Sequence, residues 1–207
     1  MRTDRYERNL AATGLTVRDI DFVMCTHLHV DHVGWNTRLE NGRWVPTFPR
    51  AKYLFADREL EHWTSRQREN PESCPWITDS VLPILEARRE ERVKSDHVLD
   101  ELVRLIPTPG HTIDHYSVQV GKPGEDGIVT GDMIHTPLQV RYPDVHGLQL
   151  TAGRRDPPAI VRAHLRDHHP ALRGAFRVAL GWPDRPPWKR VRLRADVRLN
   201  IGQTGSG

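Results

Sequence analysis

Thr26-His27-Leu28-His29-Val30-Asp31-His32-Val33-Gly34 packs three imidazoles and one carboxylate into six consecutive residues. This spacing is hard to explain as packing, because each of these groups needs its own polar partner once buried. Metal ligation explains it better. In an extended segment, positions two apart point to the same side, so His27 and His29 can reach one ion. Asp31 and His32, turning into a following loop or helix, then face a second. Imidazole and carboxylate are good zinc donors, and iron, manganese and cobalt are compatible with the same set. The preceding stretch, Asp21-Phe22-Val23-Met24-Cys25-Thr26, is short and apolar. It reads as a buried strand that delivers the histidines at its C-terminal end.

Outward from this motif the chain alternates short strands and helices. Upstream, Tyr6 and Leu10 sit four apart and Gly14 is a natural stop, which predicts a helix over 5–12. Downstream, Asn41-Gly42 marks a turn inside a hairpin-like segment between Asn36 and Pro49, which also carries Trp44. Trp35 and Trp44 are candidates to line a substrate pocket, with plain packing the commoner role for such aromatics. Ala51 to Phe55 predicts a strand, and Asp57 the N-cap of a helix through Leu60 and Trp63. Glu69 to Pro75 reads as a loop. Ser80 to Val93 reads as a helix whose far end is a solvated run of charges. Three further strands are expected at Leu102–Ile106, Tyr116–Val120 and Gly127–Thr130, with a turn at Pro123-Gly124. Two of them lead into Thr108-Pro109-Gly110-His111-Thr112 and Gly131-Asp132.

Composition narrows the class. The 207 residues suffice for one domain with a core, or a domain with a tail. With 37% hydrophobic and 28% charged residues, 16 prolines and 15 glycines, a loop-rich mixed fold is expected. No apolar run of about 18 residues predicts a membrane span. Met1-Arg2-Thr3-Asp4-Arg5 leads into no apolar segment of the secretory kind, so a cytoplasmic location is expected. The two cysteines, Cys25 and Cys74, form no CxxC pair, and Cys25 reads as a small buried hydrophobe.

Taken together, His27-Leu28-His29-Val30-Asp31-His32, then Thr108-Pro109-Gly110-His111 and then Gly131-Asp132 resemble the metallo-beta-lactamase superfamily. The closest branch is the general hydrolase one that includes lactonases and organophosphate-hydrolase-like proteins. The resemblance covers roughly Leu10 to Asp144. It implies an α/β fold, the four-layer αβ/βα sandwich, with the site at one edge between two sheets. It also implies that His27, His29 and His111 bind one metal, that Asp31 and His32 bind the other, and that Asp132 bridges both. The implied cofactor is a pair of zinc ions. The implied activity is hydrolysis of an ester, lactone or related small molecule by a metal-bound hydroxide that Asp31, the candidate catalytic residue, orients. His115 and His135 are candidates for orienting the ligands from behind. Tyr116 and Tyr142 are candidates for donating a proton to the leaving group.

Two departures from the family pattern qualify this. Few residues precede the histidine motif, so the first sheet is expected to be incomplete, with an open edge that self-association could cover. The family's last histidine ligand has no counterpart in a strand-plus-histidine segment. His164, His168 and His169 fall in an expected helix over about 158–169, and His169 before Pro170 is the nearest substitute. The chain is therefore divided into a partial metallo-beta-lactamase-like domain, 1–144, and an atypical segment, 145–207, with a flexible end. A catalytically weak or inactive, truncated metal-binding member of the fold is the alternative reading.

The segment after Val145 is rich in Arg and Pro, has Lys189 as its one lysine and contains no Glu. It shows no nucleic-acid-binding motif, and nucleic acid is not expected as a partner. Such a composition is what a GC-rich gene yields when read out of frame. Translating the other two frames of the coding DNA beyond codon 145 is expected to recover a strand followed by a histidine with apolar flanks. Two frames without one would discard the idea.

Overall fold

Lys52–Ala56, strand β4, lies at the centre of the architecture because both of its faces are buried. The computed structural model describes residues 5–122 and 125–135, together with the short strands 191–193 and 197–199. In it β4 is flanked in parallel by β1 (Phe22–Met24) and β5 (Glu90–Val93), in the order β1-β4-β5. Tyr53 and Phe55 face one side, against Leu60 and Trp63 of helix α2 (Asp57–Glu69), Ile77 of α3 (Pro75–Ser80) and Ile84 of α4 (Leu82–Glu86). Leu54 and Ala56 face the other, against a second sheet. That sheet is antiparallel and runs β6 (Val103–Pro107), β7 (Tyr116–Val120), β8 (Gly127–Val129). Val103, Leu105, Tyr116 and Val118 supply its inner face. Strands covered on both faces read as continuous apolar runs, as Tyr53 to Ala56 does. The described residues thus form helix, sheet and sheet layers, three of the four that the resemblance implies.

Helix α1 (Arg5–Ala12) ends at Gly14, whose φ of 84° is left-handed. The hairpin forms as expected, with β2 (Thr37–Glu40) antiparallel to β3 (Arg43–Pro46). Asn41 and Gly42 take positive φ, 51° and 77°, the pair of left-handed residues that a two-residue hairpin turn needs. Its base is tied to β4 by one phenol. The Tyr53 hydroxyl donates to the Asn36 carbonyl (2.9 Å) and accepts from the Phe48 amide (3.0 Å).

Three local expectations are corrected. Ser80 to Val93 is not one helix. The helical path breaks at Val81 (φ −121°), and α4 starts afresh with Pro83 in its first turn. Arg88 then turns the chain at φ 53° into β5. Among the described residues the charged run is an edge strand, where Glu91 pairs with Lys52 (2.9 Å), and charges on an edge discourage further strand pairing. Asp57 does not cap α2 but opens it, and its carboxylate pairs with Arg92 of β5 instead. The expected loop at 69–75 contains a short 3-10 turn, Pro71–Ser73, and Pro75 already begins α3. Strands β9 (Val191–Leu193) and β10 (Val197–Leu199) form an antiparallel pair. The turn at Pro123-Gly124, the helix over about 158–169, Tyr142, His164, His168 and His169 lie outside the described residues.

Tyr53→Phe would leave the buried Phe48 amide without its acceptor. It is expected to lower the free energy of unfolding by about 1–3 kcal/mol in urea denaturation. A change below about 0.5 kcal/mol, the range of an ordinary surface substitution, would show that the hydroxyl does not tie the hairpin down.

Candidate metal centre

β1 ends at Met24, and the histidine motif is a turning loop rather than a continued strand. Its alternation survives because Leu28 is anchored. The Leu28 side chain is buried in the helix-side core, its amide donates to Glu59 Oε1 (3.2 Å), and its carbonyl accepts from Trp76 Nε1 (2.8 Å). With Leu28 held inward, His27 and His29 project together to the opposite side. The His32 amide then closes a turn on the His29 carbonyl (3.1 Å) and brings the third imidazole back over the first, with ring centroids 4.0 Å apart.

The second loop arrives from the other sheet. β6 ends at Pro107, and the Tyr116 amide at the start of β7 donates to the Thr26 carbonyl (3.0 Å), joining the two sheets beside the motif. His111 is delivered between them. His27 Nε2 and His29 Nδ1 are 3.1 Å apart, and His29 Nδ1 and His111 Nε2 are 2.8 Å apart. Nitrogens around one tetrahedral zinc at about 2.0–2.1 Å are roughly 3.3 Å apart, so only a small opening is needed.

Asp132 comes from the end of β8, within a 3-10 turn, Gly131–Met133. Its Oδ1 is 3.2 Å from His32 Nε2, while its Oδ2 is 3.4 Å from His111 Nε2 and 3.2 Å from His135 Nε2. The carboxylate therefore spans from the first imidazole group to His32. Ligand-type atoms of His27, His32 and Asp132 form a second group within 4.8 Å, and those of His111, Asp132 and His135 a third. Asp31 stands apart: its side chain is 72% exposed and its Oδ2 is 3.5 Å from His32.

His115 is fully buried and holds Asp132 in place. The Asp132 amide donates to His115 Nε2 (3.1 Å), so the ring proton sits on Nδ1 and is donated to Thr108 Oγ1 (2.7 Å). Thr108 then donates to Ser117 Oγ (3.2 Å), and Ser117 to the Thr130 carbonyl (3.1 Å). One tautomer satisfies the whole relay. Gly131 lets the turn approach: with φ 54°, a Cβ there would lie 2.5 Å from Thr26 Oγ1 and 2.7 Å from His115 Nε2.

Burial, reinforced by neighbouring imidazoles, keeps these rings neutral. It depresses His27 strongly, lowers His29, and brings His111 to about 4 and His115 to about 3. Burial alone would raise the Asp132 carboxyl, but His32, His111 and His135 together hold it below its ordinary value. Neutral imidazole lone pairs around an ionised carboxylate are the form that a divalent metal needs.

The structure thus gathers His27, His29, His32, His111 and Asp132, with His115 and His135 in contact with Asp132. The expected pocket aromatics are less central. Trp35 packs on Tyr6 of α1 (centroids 4.5 Å apart), and Trp44 is exposed on the hairpin. Tyr116 is a core residue whose hydroxyl donates to the Leu54 carbonyl (3.2 Å), which removes it as a proton donor. Sequence reasoning missed Glu59 and Trp76. For Glu59 a signal existed, an acidic residue on the same inward helical face as Leu60 and Trp63.

A family model described as the metallo-beta-lactamase superfamily matches residues 2–192. YobT of Bacillus subtilis (strain 168) is 26% identical over 110 residues, 52% of this chain and 44% of YobT. Among solved structures, the hydrolase AbOPH of the beta-lactamase superfamily superposes with a TM-score of 0.61 at 24% identity, over 78% of this chain and 56% of that one. A probable metal-dependent hydrolase from Staphylococcus aureus gives 0.59 at 21%, over 77% and 53%. AidC, described as a dizinc quorum-quenching lactonase in complex with N-hexnoyl-L-homoserine, gives 0.62 at 20%, over 80% and 59%. The chain spans about half the length of these relatives.

Acid is expected to unfold the metal-free chain through this cluster. An unfolded histidine titrates near 6.5, whereas His111 and His115 accept protons only at about 4 and about 3. Between those values the unfolded chain binds more protons, so stability rises with pH and is lost as pH falls below 6.5. Urea midpoints should drop between about pH 7.5 and about pH 5, and equal midpoints would contradict the burial of these rings.

Proposed function

The chain belongs to the metallo-beta-lactamase superfamily, and on that premise we propose that it is a metal-dependent hydrolase of an ester, lactone or related small molecule. The carrying observation is the convergence of His27, His29 and His111 on one point, with the Asp132 carboxylate reaching from there to His32. His27, His29 and His111 would hold one metal, and Asp31 and His32 a second. Asp132, spanning both, would set their separation. Two divalent ions there would lower the pKa of a shared water toward neutrality and polarise the substrate carbonyl.

The chain's own residues supply the rest. His115 fixes the main chain of Asp132 through one tautomer, and so holds the backbone from which the carboxylate reaches both groups. His135 restrains Oδ2 from the rim. Asp31 would ligate the second metal beside His32, 3.5 Å away, and orient a water molecule there as the catalytic carboxylate. Zinc as the metal is supported by the donor set. The lactone arm of the proposal is supported by the likeness to AidC. Self-association is part of the same proposal, since β1 pairs only with β4 among the described residues. A cytoplasmic location belongs to it as well.

A second reading, a catalytically weak or inactive metal-binding member of the fold, is favoured by the exposure of Asp31, which leaves the second metal with fewer inward ligands.

Metal analysis and turnover on esters and lactones separate the two. The proposed enzyme binds close to two metals per chain. His27→Ala and Asp132→Ala are expected to reduce that content and to lower hydrolysis by about two orders of magnitude or more, since even residues that only orient ligands are worth about 10–100-fold. One metal or none, with no turnover by the unaltered chain, would leave the second reading standing.

A further inference from the structure

Helix α2 sends one carboxylate inward to the site, and it belongs to none of the ligand motifs. Glu59 is 1% exposed. Its Oε1 accepts the Leu28 amide (3.2 Å) and the Trp63 indole N–H (2.8 Å), and its Oε2 accepts the Asp114 amide (3.1 Å). Leu28 is the residue between His27 and His29, and Asp114 lies between His111 and His115. Asp114 is tied back to the same helix, because its Oδ2 accepts the Arg58 amide (3.2 Å). Two loops whose histidines are 82 residues apart in the chain thus hang from the two oxygens of one side chain.

A carboxylate is a costly choice for this position. Burial strips it of water, and an apolar side chain would fill the inner face of α2 at no such cost. Three N–H donors make the burial tolerable, and two of them come from the loops that carry the imidazoles. A neutral amide could not replace it. Glutamine offers one acceptor oxygen, so its NH2 group would face either the Asp114 amide or the Leu28 amide, donor against donor.

We propose that Glu59 is the positioning residue of the metal centre, a two-oxygen clamp that fixes the Leu28 and Asp114 amides relative to each other so that His27, His29 and His111 converge before a metal arrives. The proposal rests on the reading of those histidines as ligands. Loops already held in place need not be ordered at the expense of binding free energy, so the clamp acts as affinity for the metal.

The test uses the full chain, freed of metal and titrated with Co2+, whose visible absorption reports ligand number and geometry. Tyr53→Phe serves as the control for general destabilisation, since the hydroxyl it removes ties the hairpin and not the histidine loops. Glu59→Gln is expected to fold cooperatively, to bind Co2+ about 10–100-fold more weakly, and to show a changed cobalt spectrum. Tyr53→Phe is expected to bind Co2+ as the unaltered chain does. Unchanged affinity and spectrum in Glu59→Gln would overturn the proposal, as would an equal loss in Tyr53→Phe. Should Glu59→Gln fail to fold, Glu59→Asp, which keeps the charge and withdraws it by one methylene, must show the weakened binding; unchanged binding there refutes the clamp. Failure of the unaltered chain to bind Co2+ at all would sink the ligand reading and the clamp with it, whereas binding that His27→Ala weakens and Glu59→Gln leaves intact would sink the clamp alone.

Discussion

A single main-chain hydrogen bond, from the Tyr116 amide to the Thr26 carbonyl (3.0 Å), joins the strand end that bears the first histidines to the strand start that follows the second histidine loop. It can form only because β4 is covered on both faces. Tyr53 and Phe55 draw the helices onto one side, while Leu54 and Ala56 draw the β6-β7-β8 sheet onto the other. The packing of two sheets across these four side chains sets the distance between loops remote in sequence. Burial of that apolar surface is the driving force; the histidine cluster is assembled on the seam it creates.

Several polar groups at that seam are held by specific side-chain and main-chain partners. Glu59 takes three N–H donors and His115 links Asp132 to Thr108. Thr108 and Ser117 then carry the chain of donors to the Thr130 carbonyl. Each link leaves one way to place its proton, which restricts the loops more than apolar contact could. The arrangement also accounts for the neutral state of the imidazoles. They lie where desolvation penalises a charge on the ring, and for His111 and His115 this outweighs the opposing pull of the nearby Asp132 carboxylate.

Where local reading and structure part, tertiary context is the cause. Glu90 to Val93 has the composition of a solvated helix end, yet it pairs with β4, because the edge of a parallel sheet accepts charged residues on its outer side. Asp57 looks like a cap by residue type, but Arg92 on the neighbouring strand claims its carboxylate. Trp35 sits beside the histidine motif in sequence and packs against α1 in space. In each case a preference of modest size is overridden by a partner that only the folded chain brings near.

Much of the fold and of the site was legible in the residues themselves. Asn41-Gly42 marks its hairpin because a two-residue turn demands left-handed backbone. The apolar runs within Phe22–Met24 and Lys52–Ala56, and the alternating pattern of Tyr116–Val120, mark their strands. His27, His29, His32, His111 and Asp132 stand out as candidate donors by residue type and by the resemblance of their motifs, since ligand chemistry is a property of the side chain. What only the tertiary structure decided is where each donor points. The span of Asp132 from His111 to His32, the outward turn of Asp31, the tautomer of His115 and the grip of Glu59 on two loops are relations between segments far apart in the chain. Their distances are set by how the sheets and α2 pack, and local sequence carries no measure of that.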